Sequence, residues 1–310
     1  MIKPDVQPVM TMKMIQLTIA QGISSLSPVA FVYFGNLLAS QGDISEGCRY
    51  VRIAQKLLAK TGPQEISGEV IGMATQTLCY VQPLQSLVDC HREGHDVAMA
   101  AGDVHFALLN MAMKVGALLW SSTKLPTLKQ EYANARKSFE EHGHLAWVSH
   151  TIYQEKAISM LMGTTDNSLN ATLVRVEKYL EQNPHASRYV YSQKLHFSFI
   201  MRDYDEMKTL AEKFIKFDPS KWILLLGRVK FQSFYCGLVA WWIYRQTKDA
   251  DWAARGCKSK YEMKKWSESS EHNFLHHALL LEAEEAFSNM NVESAKALYE
   301  KAISMARQHR

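Results

Sequence analysis

EHNFLHHALLLEAEEAFSNMNVESAKALYEKAISMARQ, residues 271–308, holds two helical patterns separated by a single polar break. His272-Asn273-Phe274-Leu275-His276 runs into an unbroken helical stretch, Asn289-Met290-Asn291 interrupts it, and Ala295, Tyr299 and Ala302 resume it four and three residues apart. Small side chains stand where two helices must cross closely: Ala283 and Ala286 before the break, Ala295 and Ala302 after it, with Tyr299 placed to fill the gap between them. A helix pair of this kind cannot hide its apolar face alone, so it must stack on neighbours.

The same device recurs upstream. In residues 28–60, Phe31, Gly35 and Leu38 share a helical face, Gln41-Gly42-Asp43-Ile44 is the break, and Gly47, Val51 and Ala54 line the next helix. In residues 87–120 the break is Ala101-Gly102-Asp103-Val104, with Ala98 before it and Ala107 and Met111 after. In residues 187–219, Tyr191 and Leu195 precede Arg202-Asp203-Tyr204, Met207, Ala211 and Phe214 follow, and Asp218-Pro219 closes the unit. The order of aromatic, small residue, Gly-Asp turn and alanine resembles the tetratricopeptide pattern. Between these units, Leu128–Glu141, Leu145–Met162, Leu169–Gln182 and Trp252–Trp266 keep apolar residues three and four apart, and Thr61-Gly62-Pro63, Ser121–Pro126, Gly143, Gly163–Asn167 and Asn183-Pro184 supply helix stops. The fold predicted is all-α, a tetratricopeptide-like antiparallel helix-pair solenoid with a right-handed superhelix. It forms a single degenerate array over 1–310, of roughly fifteen helices.

Composition agrees with a globular helical chain. The 310 residues are 47% hydrophobic and 21% charged, and only 15 Gly and 8 Pro punctuate them, too few for many short strands. A balance of 35 basic against 31 acidic residues, net +4, does not by itself indicate a nucleic-acid partner. Cys48, Cys79, Cys90, Cys236 and Cys257 form no C-x-x-C pair and read as reduced, mostly buried thiols. No secretory signal is visible in the first residues, so the sequon Asn170-Ala171-Thr172 is read as unused and the expected location is cytoplasmic. The most apolar run, Trp222–Tyr244, contains Arg228 and Lys230; its uncharged part, Phe231–Tyr244, is shorter than the ~20 residues that span a bilayer, so it reads as a buried helix and no membrane insertion is expected.

Chemical signatures fail at their essential positions. Gly42 and Gly47 have phosphate-loop spacing, but Cys48-Arg49 stands where Lys and Ser or Thr are required. His91 and His95, and His272 and His276, each share a helix face, yet neither pair has the adjacent Glu of a zinc protease helix nor an evident third ligand, and both are read as structural or surface histidines. Lys258, Lys260, Lys264 and Lys265, interleaved with Trp252, Tyr261 and Trp266, could meet phosphates and stacked bases. An amphipathic helix with its aromatics inward explains the same residues, and Glu262, Glu268 and Glu271 dilute the positive field, so nucleic-acid binding is the weaker reading. No cofactor and no catalytic group is assigned. Candidate partner contacts are Tyr191, Trp241, Trp242 and the four lysines. Candidate helix-packing positions are Gly35, Gly47, Ala54, Ala107, Ala211, Ala283, Ala295, Tyr299 and Ala302.

A more specific likeness lies in Asn273-Phe274-Leu275-His276, Leu279-Leu280-Leu281-Glu282-Ala283-Glu284 and Ala297-Leu298-Tyr299-Glu300-Lys301-Ala302-Ile303, and near the start in Gln21-Gly22-Ile23-Ser24, Ser27-Pro28, Ala30-Phe31, Tyr33, Gly35 and Gly42-Asp43 with Gly47 and Tyr50. These segments resemble the tetratricopeptide-like helical region of very large signalling proteins, placed after an AAA-type ATPase module, with a serine/threonine kinase-like domain upstream and GAF and histidine kinase domains downstream. None of that family's catalytic motifs occurs in this chain. The resemblance implies a non-enzymatic scaffold in signal transduction that binds a protein or peptide, ATPase or kinase domains included. The alternative it implies is a regulatory fragment acting on such an ATPase or kinase in trans.

Overall fold

A computed structural model describes residues 6–62, 65–121, 123–164, 166–215 and 226–309. Fifteen α-helices and one 3₁₀ turn, and no strand, are found among them. Asp218-Pro219, Pro63 and Trp222, used above as a unit end, a helix stop and the start of the apolar run, lie outside the described residues. In order the helices are α1 (Gln7–Gln21), α2 (Ser27–Ser40), α3 (Ile44–Thr61), α4 (Ser67–Leu78), α5 (Leu84–Ala100), α6 (Val104–Trp120), α7 (Leu125–Glu141), α8 (Leu145–Leu161), α9 (Asn170–Gln182), α10 (Pro184–Met201), α11 (Tyr204–Ile215), α12 (Leu226–Thr247), α13 (Ala250–Ser267), α14 (Glu271–Ser288) and α15 (Val292–Gln308). They gather into two compact units, one with α1–α5 and most of α6, the other with α7–α11, α13–α15 and most of α12.

One turn chemistry is used four times. Between α2 and α3, α5 and α6, α10 and α11, and α14 and α15, the chain ends one helix with a residue at positive φ and starts the next on an Asp or Asn. The positive-φ residues are Gly42, Gly102, Arg202 and Met290. The amides that follow them close back to the helix, Asp43 to Leu38 O at 3.0 Å, Asp103 to Ala98 O at 2.8 Å, Asp203 to Ser198 O at 2.9 Å and Asn291 to Ala286 O at 2.9 Å. Those bonds satisfy carbonyls that a helix end leaves orphaned. The same Asp or Asn side chain then accepts from the new helix, from Glu46 N, Phe106 N, Glu206 N and Ser294 N, which satisfies one of its orphan donors. Each break therefore stops one helix and starts another within three residues, which forces the two to run antiparallel and adjacent.

In the first unit, α2 and α3 touch backbone to backbone. A Cβ at Gly35 would lie 2.6 Å from Gly47 O, and one at Gly47 would lie 2.7 Å from Gly35 O. Val51 and Ala54 are fully buried beside that crossing. The centre of the unit is α4, where every residue except Glu69 and Ile71 is buried. Two asparagines from its neighbours hold it. From α2, Asn36 donates to Met73 O at 3.0 Å and accepts from the Thr77 hydroxyl at 2.7 Å; from α6, Asn110 donates to Gly68 O at 2.9 Å. Asn110 enters a space that exists because Gly72 and Gly94 have no side chains, a Cβ on either falling within 2.8 Å of its amide. Ala107, one turn earlier on α6, is buried as well.

In the second unit, α12 supplies the spine, burying Phe234, Leu238, Val239, Ala240, Trp241 and Ile243. It crosses α13 and α14 at Gly237, where a Cβ would meet Ser259 Cβ at 2.6 Å and a Leu281 methyl at 2.9 Å. Leu195, Met207, Leu210, Ala211, Val239 and Ile243 form one cluster between α10, α11 and α12. Charged groups tie α7, α8 and α9: Arg136 donates to the buried Glu155 at 2.7 Å and to Glu140 at 2.9 Å, and Thr172 donates to the other Glu140 oxygen. Ala283, Ala295 and Ala302 are buried between α14 and α15. Tyr299, on α15, is half-buried, and its hydroxyl donates to Glu284 on α14 at 2.7 Å.

Candidate functional site

The histidines picked out by spacing have separate surroundings. His91 is buried against Asn110 Oδ1 at 3.3 Å, whereas His95 faces Asp96 at 2.9 Å, so this i, i+4 pair is split between core and surface. His272 lies beside Ser270 Oγ, and burial, with His309 adding to it, lowers His276 to about 4. No spacing pointed to His309, whose ring approaches that of His272 to 6.2 Å from the end of α15. Among the described residues no group of three or more His, Cys, Asp or Glu is disposed to hold a metal ion. A shallow cleft beside α1 is lined by Gln7, Pro8, Thr11, Tyr33, Asn36, Leu37 and Met73. Its most chemically able groups are already committed: Asn36 to α4, and the Tyr33 hydroxyl to Glu69 at 2.8 Å, with burial pushing that hydroxyl's pKa up.

The lysine-rich stretch of α13 is also divided. Lys258, Lys264 and Lys265 are exposed, but Lys260 is paired with Glu285, and neighbouring Glu262 accepts from Ser233. Of its aromatics only Tyr261 is exposed; Trp252 packs on the α10–α12 cluster and Trp266 turns toward Phe274, ring centroids 5.8 Å apart. Base stacking needs aromatic faces open beside the cations, and here two of the three are turned to the core.

A coherent surface forms instead where helix hairpins end in the second unit. Trp241 is 2% exposed and lies flat over Gly256, where a Cβ would fall 2.5 Å from its ring. It is core, closed to a partner. Trp242, the next residue, is half-buried and stacks on Tyr204 at the start of α11, centroids 4.7 Å apart and planes within 6°. One turn along α12, Arg245 donates to Glu284 at 2.7 Å and to Ser288 at 2.9 Å, and its guanidinium lies 5.2 Å from the Phe287 ring. Glu284 also takes the Tyr299 hydroxyl, whose pKa is raised by burial first and by this carboxylate second. Trp242 and Arg245, one turn apart on α12, thus bring Tyr204 and Phe287 to neighbouring helix ends, and the exposed Met201 and the exposed Met290 and Val292 lie in the turns next to these two residues in sequence. Tyr191 packs against the α10–α12 cluster, with Lys213 Nζ 5.7 Å over its ring.

Met290 is the unusual member. It is 81% exposed and has φ +63°, in a turn position where the α2–α3 and α5–α6 hairpins place glycine. A side chain there is strained, and a thioether gains nothing from water. No protein-family profile and no curated protein matches this chain.

Proposed function

We propose that the protein is a non-catalytic interaction scaffold, a tetratricopeptide-like stack of helix hairpins that binds a protein partner along the hairpin-tip edge of the second unit. The observation that carries this reading is Met290, an exposed apolar side chain held at positive φ next to exposed Phe287 and Val292. Strain at a solvent-exposed apolar residue points to a contact made outside the chain. The four repeated hairpin turns and the glycine crossings support the repeat architecture, since they are the means by which successive pairs stack. The resemblance to the helical region of large signalling proteins points to an ATPase or kinase domain as the partner. The rings of Tyr204 and Trp242 with Arg245 match the residue types that dominate interface hot spots.

The test uses Met290→Gly, which removes the strained apolar group and improves the turn. Melting temperature should stay equal or rise, by up to about 1 kcal/mol of stability, while photo-crosslinking in cells from a probe at position 287 should lose its captured partner. Equal capture with and without Met290 would falsify the assignment of this edge. A second, independent check follows from the partner class. Adding the chain to the captured ATPase or kinase domain should change its nucleotide hydrolysis, and the Met290→Gly protein should change it less.

A further inference from the structure

The chain has 15 methionines, and the fold gives their sulfurs very different access to solvent. Met73, Met113, Met207 and Met263 are buried, and the Met113 sulfur accepts from Gln76 Nε2 at 3.1 Å. An oxygen added to any of these would have to enter the core. At the surface, Met10, Met12, Met99, Met160 and Met201 are 42–51% exposed, and Met290 is 81% exposed. The first five belong to helices, where a long side chain lies back over the preceding turn and covers part of its own thioether. Met290 stands outside any helix, in the turn between α14 and α15, and lacks that cover. The backbone around it is already committed: the Met290 amide bonds to Phe287 O at 3.1 Å and the Asn291 amide to Ala286 O at 2.9 Å.

We propose that Met290 is a reversible oxidation site, a thioether that a hydroperoxide converts to the sulfoxide and so switches off the partner contact at this hairpin tip. The switching rests on the reading that the tip binds a partner; the order in which the methionines oxidise does not. In the step itself the sulfur lone pair attacks one peroxide oxygen, the O–O bond breaks and an S–O bond forms. With hydrogen peroxide, the proton on the transferred oxygen passes to the departing hydroxide, so the sulfur loses two electrons and water leaves. In the free chain the new oxygen sits in solvent and disturbs no packing. At an interface it must be desolvated, and a polar atom enclosed without a donor is costly. The exposed apolar side chains of Phe287 and Val292 offer none, and the amides of Met290 and Asn291 are spent within the turn. Reduced, the side chain is an apolar contact; oxidised, it is a polar group with no local partner. The exposure that admits a peroxide also admits a sulfoxide reductase, which makes the change reversible.

Timed treatment of the full chain with hydrogen peroxide, followed by peptide mass mapping, should find the sulfoxide at Met290 before Met10, Met12, Met99, Met160 or Met201, with melting unchanged. The chain carrying the crosslinker at position 287, oxidised to that point, should capture its partner about tenfold less, the size of change expected when a polar atom is enclosed unpaired. Capture should return after methionine sulfoxide reductases for both epimers act with dithiothreitol. The Met290→Leu chain has no sulfur there, so its capture should be the same before and after peroxide. Earlier oxidation of another methionine overturns the proposal whatever the tip binds. Capture that peroxide leaves untouched overturns it too: if Met290→Gly still lowers capture, the binding edge stands without its switch, and if Met290→Gly changes nothing either, the edge fails as well. An equal fall in the Met290→Leu chain, or a loss that reduction does not restore, would place the peroxide effect at another residue and likewise end the proposal.

Discussion

Identical substitutions at two glycines should have opposite signs. At Gly35 the added methyl would lie 2.6 Å from a backbone oxygen and 2.7 Å from Val51 Cγ2, so α2 and α3 must part along their whole crossing. Gly35→Ala is expected to lower stability by about 2–3 kcal/mol, the overpacking range. Gly116, inside α6, meets nothing within 4 Å and has an ordinary helical backbone. Gly116→Ala should raise stability by about 0.5–1 kcal/mol, since alanine loses less backbone entropy on entering a helix. Urea titration of both variants checks the pair, and equal shifts would remove Gly35–Gly47 contact as the reason α2 and α3 stay together. Asn110 makes the complementary case. Asn110→Ala removes the side-chain amide that Gly68 O and Phe106 O accept beside their helix bonds, strips α4 of its tie to α6, and leaves a hole against Gly72 and Gly94. The expected loss is about 2–4 kcal/mol, and a loss below half a kilocalorie would show that α4 is held by apolar packing alone.

The elements most legible in the sequence are those whose ends have a backbone reason. Gly42-Asp43 and Gly102-Asp103 announce a left-handed residue followed by a capping carboxylate, and both hairpins stand where that chemistry puts them. Asp103→Ala should cost about 1 kcal/mol by freeing the amide of Phe106, whereas Asp103→Asn should cost little because the amide oxygen can still accept. Equal losses from the two would mean that charge at the start of α6, not the hydrogen bond, is what stabilises it. What polarity hid was the inside. Thr75, Gln76 and Thr77 on α4, and Ser149, His150, Thr151, Gln154 and Glu155 on α8, are all buried, and a reading by hydropathy assigns such residues to the surface. They are inside because partners on neighbouring helices satisfy several of them, Thr77 through Asn36 and Glu155 through Arg136, and no one-dimensional pattern carries a partner 41 residues away. The tip edge was legible only in part. Trp242 stands out by residue type, but Met290 falls in a polar break, and its meaning depends on a backbone angle the sequence does not display.

On the scale of the whole molecule, acid should act on the two units differently. His196, buried in the second unit, is stacked on Trp120 at 4.6 Å and beside Tyr235 at 4.2 Å, and burial lowers it to about 3. Burial lowers His276 to about 4 and His277 well below its ordinary value. Above the ordinary histidine pKa near 6.5 these rings are neutral whether the chain is folded or not. As the pH falls from there toward 3, the unfolded chain binds protons that the folded unit excludes, so stability is lost across that window, on the order of a few kcal/mol from His196 alone. The first unit has a term of opposite sign. Burial raises the pKa of Glu69, so between its ordinary value and that raised one the folded state takes up the proton first, and acidification favours it. Hydrogen exchange at pH 7 and pH 4.5 should therefore show protection falling in α10, α12 and α14 while it holds in α2 to α4. His196→Phe keeps an aromatic ring against Trp120 and Tyr235 but cannot titrate, so it should flatten the acid loss in the second unit without changing the first. Protection that falls equally in both units, or a His196→Phe chain as acid-sensitive as its parent, would place the acid response elsewhere than in these buried imidazoles.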